Sequence, residues 1–210
     1  ISQVFNQTVG SLSRINNCGR NLLKNIGLII GKKNSVSVPN KNVTPILGRP
    51  AAEYAFIAAK YAGLENLYVS TDSEEIANIG IPYGATHILR PPDLATPEAL
   101  TEDALIHAYN EIIKDIGPTQ VATISLLFCN NPAIDVNLLK EAIKFLNENR
   151  EYDSCFSVAE YNMFSPARAR KLSDDGEILP FVSHDALENV SSIRDSSGSC
   201  FFCDLSIQVM

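Results

Sequence analysis

The stretch Ile26-Gly27-Leu28-Ile29-Ile30-Gly31-Lys32-Lys33-Asn34-Ser35 places an apolar run directly before a loop of small, polar and basic residues. The run at 26–30 predicts a buried strand. Backbone N–H groups in such a loop can converge on an anion, small side chains let the backbone approach closely, and lysine ammonium groups neutralise charge. The stretch therefore predicts a strand that leads into a phosphate-binding loop, and it points to a nucleotide ligand.

Charge is distributed unevenly along the 210 residues. Seven Lys or Arg residues and no acidic residue precede Glu53, whereas ten basic and 24 acidic residues occur from Glu53 onward. This asymmetry indicates an anion-binding end of the chain. Nucleic acid is disfavoured as a partner, because the formal net charge is -7 and no aromatic residues alternate with the basic ones as in a base-stacking surface.

Composition predicts a globular domain with a substantial core, since 45% of the residues are hydrophobic and 20% are charged. No run of 18 apolar residues exists, so the sequence predicts no membrane span. The five cysteines are an odd number, and four of them lie in apolar contexts, which is typical of reduced thiols in a cytoplasmic protein. Cys200 and Cys203 have zinc-like spacing, but no second pair accompanies them.

The sequence predicts two segments, an N-terminal extension at residues 1–25 and a single domain at residues 26–210. The extension is rich in Asn, Ser and Gln and contains basic but no acidic residues. It is interpreted as a partly ordered extension, with a subunit arm or a transit peptide as alternatives. The chain stops at Met210 in apolar sequence, so we expect the domain to continue further.

Strand and helix patterns alternate beyond the loop, which is typical of an α/β fold with a parallel sheet covered on both faces. The predicted strands are 26–30, 67–70, 86–90 and 121–128, with further strands at 154–158 and 199–205. The predicted helices are 51–62, a short helix ending near 79 and capped by Asp72 or Ser73, 101–114, and a helix after Asp135 that ends near 147. The run at 121–128 is almost entirely apolar, which predicts the central strand.

Several motifs follow one another in a distinctive order. They are Pro39-x-Lys41-Asn42, Gly48-Arg49-Pro50, Ser70-Thr71-Asp72-Ser73-Glu74-Glu75, Arg90-Pro91-x-x-Leu94-Ala95 and His107-Ala108. In this order the chain resembles the cytidylyltransferases that make CMP-activated acid sugars, the CMP-sialic acid synthetase group, over about residues 27–160. The resemblance implies a three-layer nucleotidyltransferase (nucleotide-diphospho-sugar transferase, Rossmann-like) fold with a mostly parallel mixed sheet.

The resemblance also implies a reaction. The anomeric hydroxyl of a sialic-acid-like (nonulosonic) acid sugar attacks the α-phosphorus of CTP, with Mg2+ bound to the triphosphate, and the products are a CMP-sugar and pyrophosphate. A cytoplasmic homodimer is implied as well. Lys32 and Lys41 are the implied catalytic residues.

The resemblance assigns further residues to the site. The implied nucleotide-binding residues are Gly31, Lys32, Lys33, Asn34, Ser35, Lys41, Asn42, Asp72, Arg90, Ala95 and Thr96. Asn130 and Asn131 are implied at the acceptor sugar. The family's paired metal-binding aspartates generally come after the position of the strand predicted at 199–205. Asp204, which lies in that strand, is therefore only a weak candidate for a metal ligand.

Besides the later position of the family's metal-binding aspartates, the chain departs from the family pattern at two places. Val36 replaces the second basic residue of the loop, and Phe128 replaces a glutamine after the central strand. These departures keep two alternatives open: a non-catalytic nucleotide-binding homologue, and a nucleotidyltransferase that uses another nucleoside triphosphate and a sugar phosphate. A dinucleotide-binding dehydrogenase is disfavoured, because no Gly-x-Gly-x-x-Gly follows the first strand.

Single residues also have structural interpretations. Asp72 could act only as a helix cap. His107 falls on an apolar helix face, where a buried imidazole is favoured over a catalytic base. His87 and His184 belong to no recognisable constellation.

Overall fold

A computed structural model describes residues 2–5, 23–33, 38–161, 165–188 and 199–210. These residues fall into two compact units. The larger unit comprises 23–33, 38–156 and 206–210, and the smaller unit comprises 2–5, 157–161, 165–188 and 199–205. Most of the expected N-terminal extension lies outside the described residues, so a boundary at 25/26 stays a prediction.

The elements follow in chain order. The strands are β1 (Ser2–Phe5), β2 (Lys24–Ile30), β3 (Pro45–Ile46), β4 (Arg49–Pro50), β5 (Asn66–Thr71), β6 (Ala85–Leu89), β7 (Val121–Phe128), β8 (Cys155–Glu160), β9 (Arg170–Leu172), β10 (Ile178–Pro180) and β11 (Phe201–Val209). The helices are α1 (Ala51–Tyr61), α2 (Glu74–Gly80), α3 (Thr101–Ile116) and α4 (Val136–Glu148).

The sheet of the larger unit is mixed and mostly parallel, as predicted. Strands β7, β2, β5 and β6 lie side by side in this order, and all three pairings are parallel. The end of β11 adds an antiparallel neighbour to β7, with Gln208 opposite Leu126 and Val209 opposite Ser125. Strand β7 is therefore an internal strand, and residues 123–127 are buried on both faces as their apolar character predicts.

Helix α3 covers one face of this sheet. Ala108 and Ile112 of α3 pack into a core with Ile26, Leu28 and Ile30, which alternate along β2 and therefore share a face. Apolar residues of β5, β6 and β7 complete this core: Tyr68, Ile88, Ile124 and Leu126.

The other three helices cover the opposite face. Gly27 lies between the α3-facing residues of β2, and a Cβ built on it would come within 2.6 Å of the Leu67 side chain. Helix α1 contacts β2, β7, α2 and α4. A Cβ on Gly80 of α2 would meet the Phe56 ring of α1 at 2.8 Å, so these two helices approach closely. The arrangement of helices, sheet and helix confirms the predicted three-layer fold.

Local sequence explains where the helices begin. Ser73 is the N-cap of α2, and its hydroxyl accepts a hydrogen bond from the Ile76 N–H. Asp135 caps α4 by accepting from the N–H groups of Asn137 and Leu138. Pro50 lies just before α1 in β4, and the helix begins at Ala51 as predicted.

Within the smaller unit, β8 is the neighbour of both β1 and β11. Strands β9 and β10 form an antiparallel hairpin with Ile178 opposite Leu172. Among the described residues of both units, no helix has the length and apolar character needed to cross a membrane.

Candidate functional site

The larger unit contains a cavity of about 420 Å³ where β2 and β7 end. Ligands of open α/β sheets bind at the carboxyl ends of the strands, so this is the expected edge for a site. Its lining residues are Ile30, Gly31, Lys32, Lys41, Asn42, Arg90, Leu94, Ala99, Leu100, Thr101, Ala104, Phe128 and Asn130. Basic and polar side chains thus share the cavity with an apolar wall.

Gly31 forms the floor of the cavity because no side chain fits there. A Cβ on Gly31 would lie 2.6 Å from Sγ and 2.8 Å from Cβ of Cys129. The Gly31 N–H donates to the Ser70 carbonyl at 3.3 Å, and the Cys129 N–H donates to the Ile30 carbonyl at 3.0 Å. Burial raises the pKa of the Cys129 thiol to about 12. The loop therefore starts at a backbone fixed against a neutral, buried thiol.

Two contacts hold Lys32. Its Nζ donates to the Thr96 carbonyl at 3.1 Å, and its own carbonyl accepts from Nδ2 of Asn42 at 2.9 Å. Asn42 is buried, so its hydrogen bond to the Lys32 carbonyl fixes the backbone of Lys32. Lys41 also lines the cavity and supplies a second ammonium group. The sequence separates these two lysines by nine positions, and the fold brings them to one cavity.

Lys33 and Asp72 form a separate contact beside the cavity. The Lys33 N–H donates to Oδ1 of Asp72 at 2.7 Å, and the Lys33 side chain is exposed. Neither residue lines the cavity. Asp72 thus fixes the start of the loop from the end of β5, and Ser73 rather than Asp72 caps α2. The predicted loop residues Asn34 and Ser35 lie outside the described residues.

Arg90 is a buried cation that lines the cavity. It is 7% exposed, and its Nη2 donates to the Ser70 carbonyl at 2.9 Å. Its Nε finds no hydrogen-bond partner, and no salt bridge among the described residues includes it. Burial lowers the pKa of Arg90, and the nearby charge of Asp72 partly opposes this effect. A buried cation with an unused donor indicates a ligand that accepts hydrogen bonds.

The segment before α3 supplies the apolar wall. Leu94, Ala99 and Leu100 line the cavity, whereas the predicted residues Ala95 and Thr96 flank it. The Thr96 hydroxyl accepts from the Ala99 N–H at 3.1 Å, which shapes the turn that presents this wall.

The structure separates the two asparagines that follow β7. Asn130 is exposed and lines the cavity. Asn131 donates from Nδ2 to the Ser206 hydroxyl at 3.2 Å and accepts from the Ala133 N–H at 3.1 Å. Its side chain thus fixes the turn after β7.

Comparison with known proteins identifies the family. The sequence model of the family described as "Cytidylyltransferase" matches residues 26–178. The chain belongs to the cytidylyltransferase family. Cytidylyltransferases are a family of nucleotidyltransferases. The matched region contains every described residue that lines the cavity.

Two relatives illustrate the range of similarity. The N-acylneuraminate cytidylyltransferase of Escherichia coli O18:K1:H7 is 29% identical over 163 residues, which cover 77% of this chain and 37% of that protein. The pseudaminic acid cytidylyltransferase of Campylobacter jejuni strain 81-176 is 26% identical over 163 residues, which cover 76% of this chain and 68% of that protein. The chain spans between 31% and 38% of the length of the first three curated relatives it matches.

Solved structures confirm the fold. CMP:2-keto-3-deoxy-manno-octonic acid synthetase complexed with CTP superimposes with a TM-score of 0.57 at 14% identity, covering 89% of this chain and 73% of that chain. The 4-diphosphocytidyl-2C-methyl-D-erythritol synthase of Anaerococcus prevotii superimposes with a TM-score of 0.53 at 13% identity, covering 92% of this chain and 72% of that chain. Both are cytidylyltransferase-type structures, so the predicted nucleotidyltransferase fold is correct.

The described residues of this chain do not fit a metal held by protein side chains alone. No group of three or more His, Cys, Asp or Glu residues in the described ranges could hold a metal ion. Asp204, the metal candidate, belongs to the smaller unit and accepts a hydrogen bond from the Ser157 hydroxyl.

Outside residues 94–101, three residues that line the cavity were not predicted from the sequence to do so: Ile30, Ala104 and Phe128. Ala104 lies on the buried side of α3, and Phe128 ends β7. Phe128 was recognised only as a departure from the family pattern, and Ala104 only as part of a helix. The position of Phe128 at the carboxyl end of the predicted central strand was the available signal.

Proposed function

We propose that the chain carries the nucleotide site of an enzyme that transfers CMP from CTP to a sialic-acid-like (nonulosonic) acid and releases pyrophosphate. The observation that carries the proposal is Arg90, a buried guanidinium with an unused Nε donor, in the same cavity as Lys32 and Lys41. Three cationic groups at the carboxyl edge of the sheet suit a triphosphate and its polar base. Membership of the cytidylyltransferase family supports cytosine as that base.

The reaction needs positioning and charge stabilisation. The anomeric hydroxyl oxygen forms a bond to the α-phosphorus of CTP, the bond from that phosphorus to the pyrophosphate oxygen breaks, and the hydroxyl proton passes to solvent. Negative charge on the phosphate oxygens must be stabilised during this step. In this proposal Lys32 and Lys41 are the catalytic residues, and each neutralises that charge. Lys32 must then exchange the Thr96 carbonyl for a phosphate oxygen.

The base and the acceptor occupy opposite ends of the cavity in this proposal. Arg90, together with the segment of Ala95 and Thr96, faces the cytosine, while Asn130 faces the acceptor. Relatives named for N-acylneuraminate and pseudaminic acid support an acid sugar as the acceptor. The proposed phosphate-binding loop also includes Lys33, Asn34 and Ser35. Asp72 supports this loop by accepting from the Lys33 N–H.

Three further features belong to the proposal. Mg2+ is proposed to bind chiefly through the triphosphate oxygens, as Mg2+ commonly does in nucleotide enzymes, since the described side chains provide no cage for it. The working enzyme is proposed to be a homodimer, and its compartment the cytoplasm.

Pyrophosphate release tests the proposal directly. Full-length protein is incubated with CTP, UTP, GTP or ATP, with Mg2+, and with N-acetylneuraminic acid or pseudaminic acid. We expect release only with CTP and an acid sugar. Lys41→Ala should reduce kcat/KM by roughly 10- to 100-fold, because one charge-assisted contact is lost. Lys60→Ala, an exposed lysine of α1, is the matched control and should retain full activity.

A non-catalytic nucleotide-binding homologue is the second candidate function. Val36 in place of the family's second basic loop residue, and Phe128 in place of its glutamine, favour this candidate. Binding of CTP without pyrophosphate release from any acid sugar would select this candidate. Release from UTP or GTP with a sugar phosphate would instead select the alternative nucleotidyltransferase.

A further inference from the structure

A second cavity of about 420 Å³ lies between β6 and α3 of the larger unit. It is lined by Tyr68, Thr86, His87, Ile88, Leu89, His107, Glu111 and Asp115. No lining residue is shared with the nucleotide cavity. The proposed cytidylyl transfer therefore uses none of these side chains, although two histidines and two carboxylates meet here.

One stripe of α3 supplies the charge of this cavity. His107, Glu111 and Asp115 are spaced by four residues and therefore share a helix face. One oxygen of Glu111 accepts from Nζ of Lys114 at 2.6 Å, and this bond lowers the pKa of Glu111. One oxygen of Asp115 accepts from the Tyr68 hydroxyl at 2.6 Å. Each carboxylate thus has a second oxygen that can accept from a ligand.

Tyr68 cannot release its proton near neutral pH. Burial, with the neighbouring Asp115, raises the pKa of Tyr68 well above its usual value. The hydroxyl therefore acts as a fixed donor to Asp115, and the cavity keeps two carboxylates against the single flanking charge of Lys114.

A hydrogen-bond contact assigns the tautomer of His87, and an unpaired buried nitrogen indicates that of His107. Nε2 of His87 lies 3.1 Å from the Thr71 carbonyl, which can only accept, so Nε2 carries the hydrogen and Nδ1 is an acceptor. Nδ1 of His107 is buried and has no hydrogen-bond partner among the residues that the structure describes. A buried N–H without an acceptor is rarer in proteins than an unused acceptor, so the hydrogen of His107 is assigned to Nε2.

This inventory is rich in acceptors and negatively charged. The acceptors are the second oxygens of Glu111 and Asp115 and Nδ1 of His87, whereas Nε2 of His107 is the one histidine donor left. Ile88 and Leu89 add apolar surface. We propose that this cavity binds a small organic cation with primary ammonium groups on a short aliphatic body, such as an aliphatic diamine. An ammonium group donates three hydrogen bonds, and its methylenes can contact the apolar lining.

Two other ligand classes fit less well. Anions would meet two carboxylates. A metal ion lacks a suitable set of protein ligands, because no three candidate side chains in the described ranges are arranged to hold one. A diamine needs no such fixed geometry, since each ammonium group can donate to its own acceptors separately.

Histidine NMR gives a direct test. The chain has three histidines, of which His87 and His107 line the cavity and His184 belongs to the smaller unit. Full-length protein is titrated with putrescine, with its uncharged analogue 1,4-butanediol, and with NaCl at matched ionic strength. We expect saturable shifts of the His87 and His107 ring signals with putrescine alone, while the His184 signal stays in place.

Charge-removing variants test the carboxylates. Glu111→Gln and Asp115→Asn should each weaken putrescine binding by about tenfold, because a charged contact becomes a neutral one. Glu141→Gln removes the same charge from an exposed position of α4 and should leave binding unchanged. The proposal is overturned if wild-type protein shows no saturable shift at millimolar putrescine, or if butanediol or NaCl reproduces it. Equal shifts of all three histidines, or a response to Zn2+ in place of putrescine, would also overturn it.

Discussion

Arg90 is a buried cation whose proposed role in binding would come at a cost to folding. Its guanidinium is buried and donates to the Ser70 carbonyl, and its Nε has no partner within the described part of the chain. Removing a charge from water is unfavourable unless a partner compensates for it. The unliganded protein therefore keeps a cation that a nucleotide would satisfy.

Arg90→Met tests this interpretation. We expect the melting temperature of the unliganded variant to stay unchanged or to rise, because an incompletely paired buried charge is removed while Ser70 keeps its bond from the Gly31 N–H. CTP affinity should fall roughly 10- to 100-fold through the lost charged contact. Calorimetric titration and thermal melts measure the two effects, with exposed Arg150→Met as control. Unchanged CTP affinity would remove Arg90 from the proposed site.

Gly31→Ala tests the close approach of the loop to Cys129. The added Cβ would lie 2.6 Å from the thiol sulfur, so we expect a loss of about 1 to 3 kcal/mol in the free energy of unfolding. In a Cys129→Ala background the loss should be smaller, because the nearest atom is gone. Urea unfolding of the two single variants and the double variant gives the coupling. Equal losses in both backgrounds would contradict the contact.

At the scale of elements, a polar cluster joins the start of α1 to the turn that follows α2. The Tyr83 hydroxyl donates to Oε1 of Glu53 at 2.6 Å, and Nη1 of Arg49 donates to the same oxygen at 2.9 Å. The Tyr83 ring also stacks on Phe56, with the ring centroids 5.7 Å apart. Burial, followed by the bond to Glu53, raises the pKa of Tyr83 to about 12.

This cluster predicts a pH dependence. The folded protein keeps the Tyr83 proton up to about pH 12, whereas the unfolded chain loses it near pH 10. The stabilisation of the fold by the protonated Tyr83 hydroxyl is therefore complete below pH 10 and declines as the pH rises toward 12. Tyr83→Phe should cost about 1 kcal/mol at pH 8, and the difference from wild type should narrow at pH 11. Urea unfolding at both pH values measures it, with exposed Tyr61→Phe as control. A constant difference would contradict the pKa shift.

The bond from Lys32 to Thr96 connects the phosphate loop to the segment before α3. Lys32→Met removes this bond, so we expect faster amide hydrogen exchange at residues 94–100 in the unliganded protein. Lys33→Met is a matched control, because only the backbone of Lys33 contacts Asp72 and its side chain is exposed. Exchange measured by mass spectrometry should rise in the first variant and stay at the wild-type rate in the second. Equal rates in both would show that the bond does not hold the segment.

At the scale of the whole molecule, ligand binding should appear as added stability. CTP with Mg2+ should raise the melting temperature of the full-length protein, because a ligand that binds only the folded state stabilises that state. Well above Kd, the added free energy of unfolding grows with the logarithm of the ratio of ligand concentration to Kd. UTP, GTP and ATP should have smaller effects, and EDTA should reduce the effect of CTP. An equal response to all four nucleotides would contradict a cytosine-specific cavity, and no response would favour loss of the site.

Particular elements show how far the sequence alone could reach. The strands at 26–30 and 121–128 were predicted from their nearly continuous apolar runs. Such runs are typical of strands buried on both faces, and the structure shows both strands largely buried. The strand expected at 199–205 is observed at Phe201–Val209. Its end was missed because residues 208 and 209 are held by pairing with β7, a contact distant in sequence.

The cavity divides in the same way. Gly31, Lys32, Lys41, Asn42, Arg90 and Asn130 were named from the sequence and line it. Asn131 was predicted at the acceptor sugar together with Asn130; in the structure it does not line the cavity, and its side chain bonds to Ser206, a residue 75 positions away. Neighbours in sequence can thus have different partners, and only the fold decides which.

The sequence by itself determined the α/β class, the order of the elements and the family, because periodicity, caps and motifs are local properties of the chain. The tertiary structure alone decided that Arg90 is buried without a full set of partners and that Lys32 is held by Thr96. It also created the second cavity between β6 and α3. Burial and partner choice depend on residues brought together from distant positions, and therefore on the packing of the whole sheet and its helices.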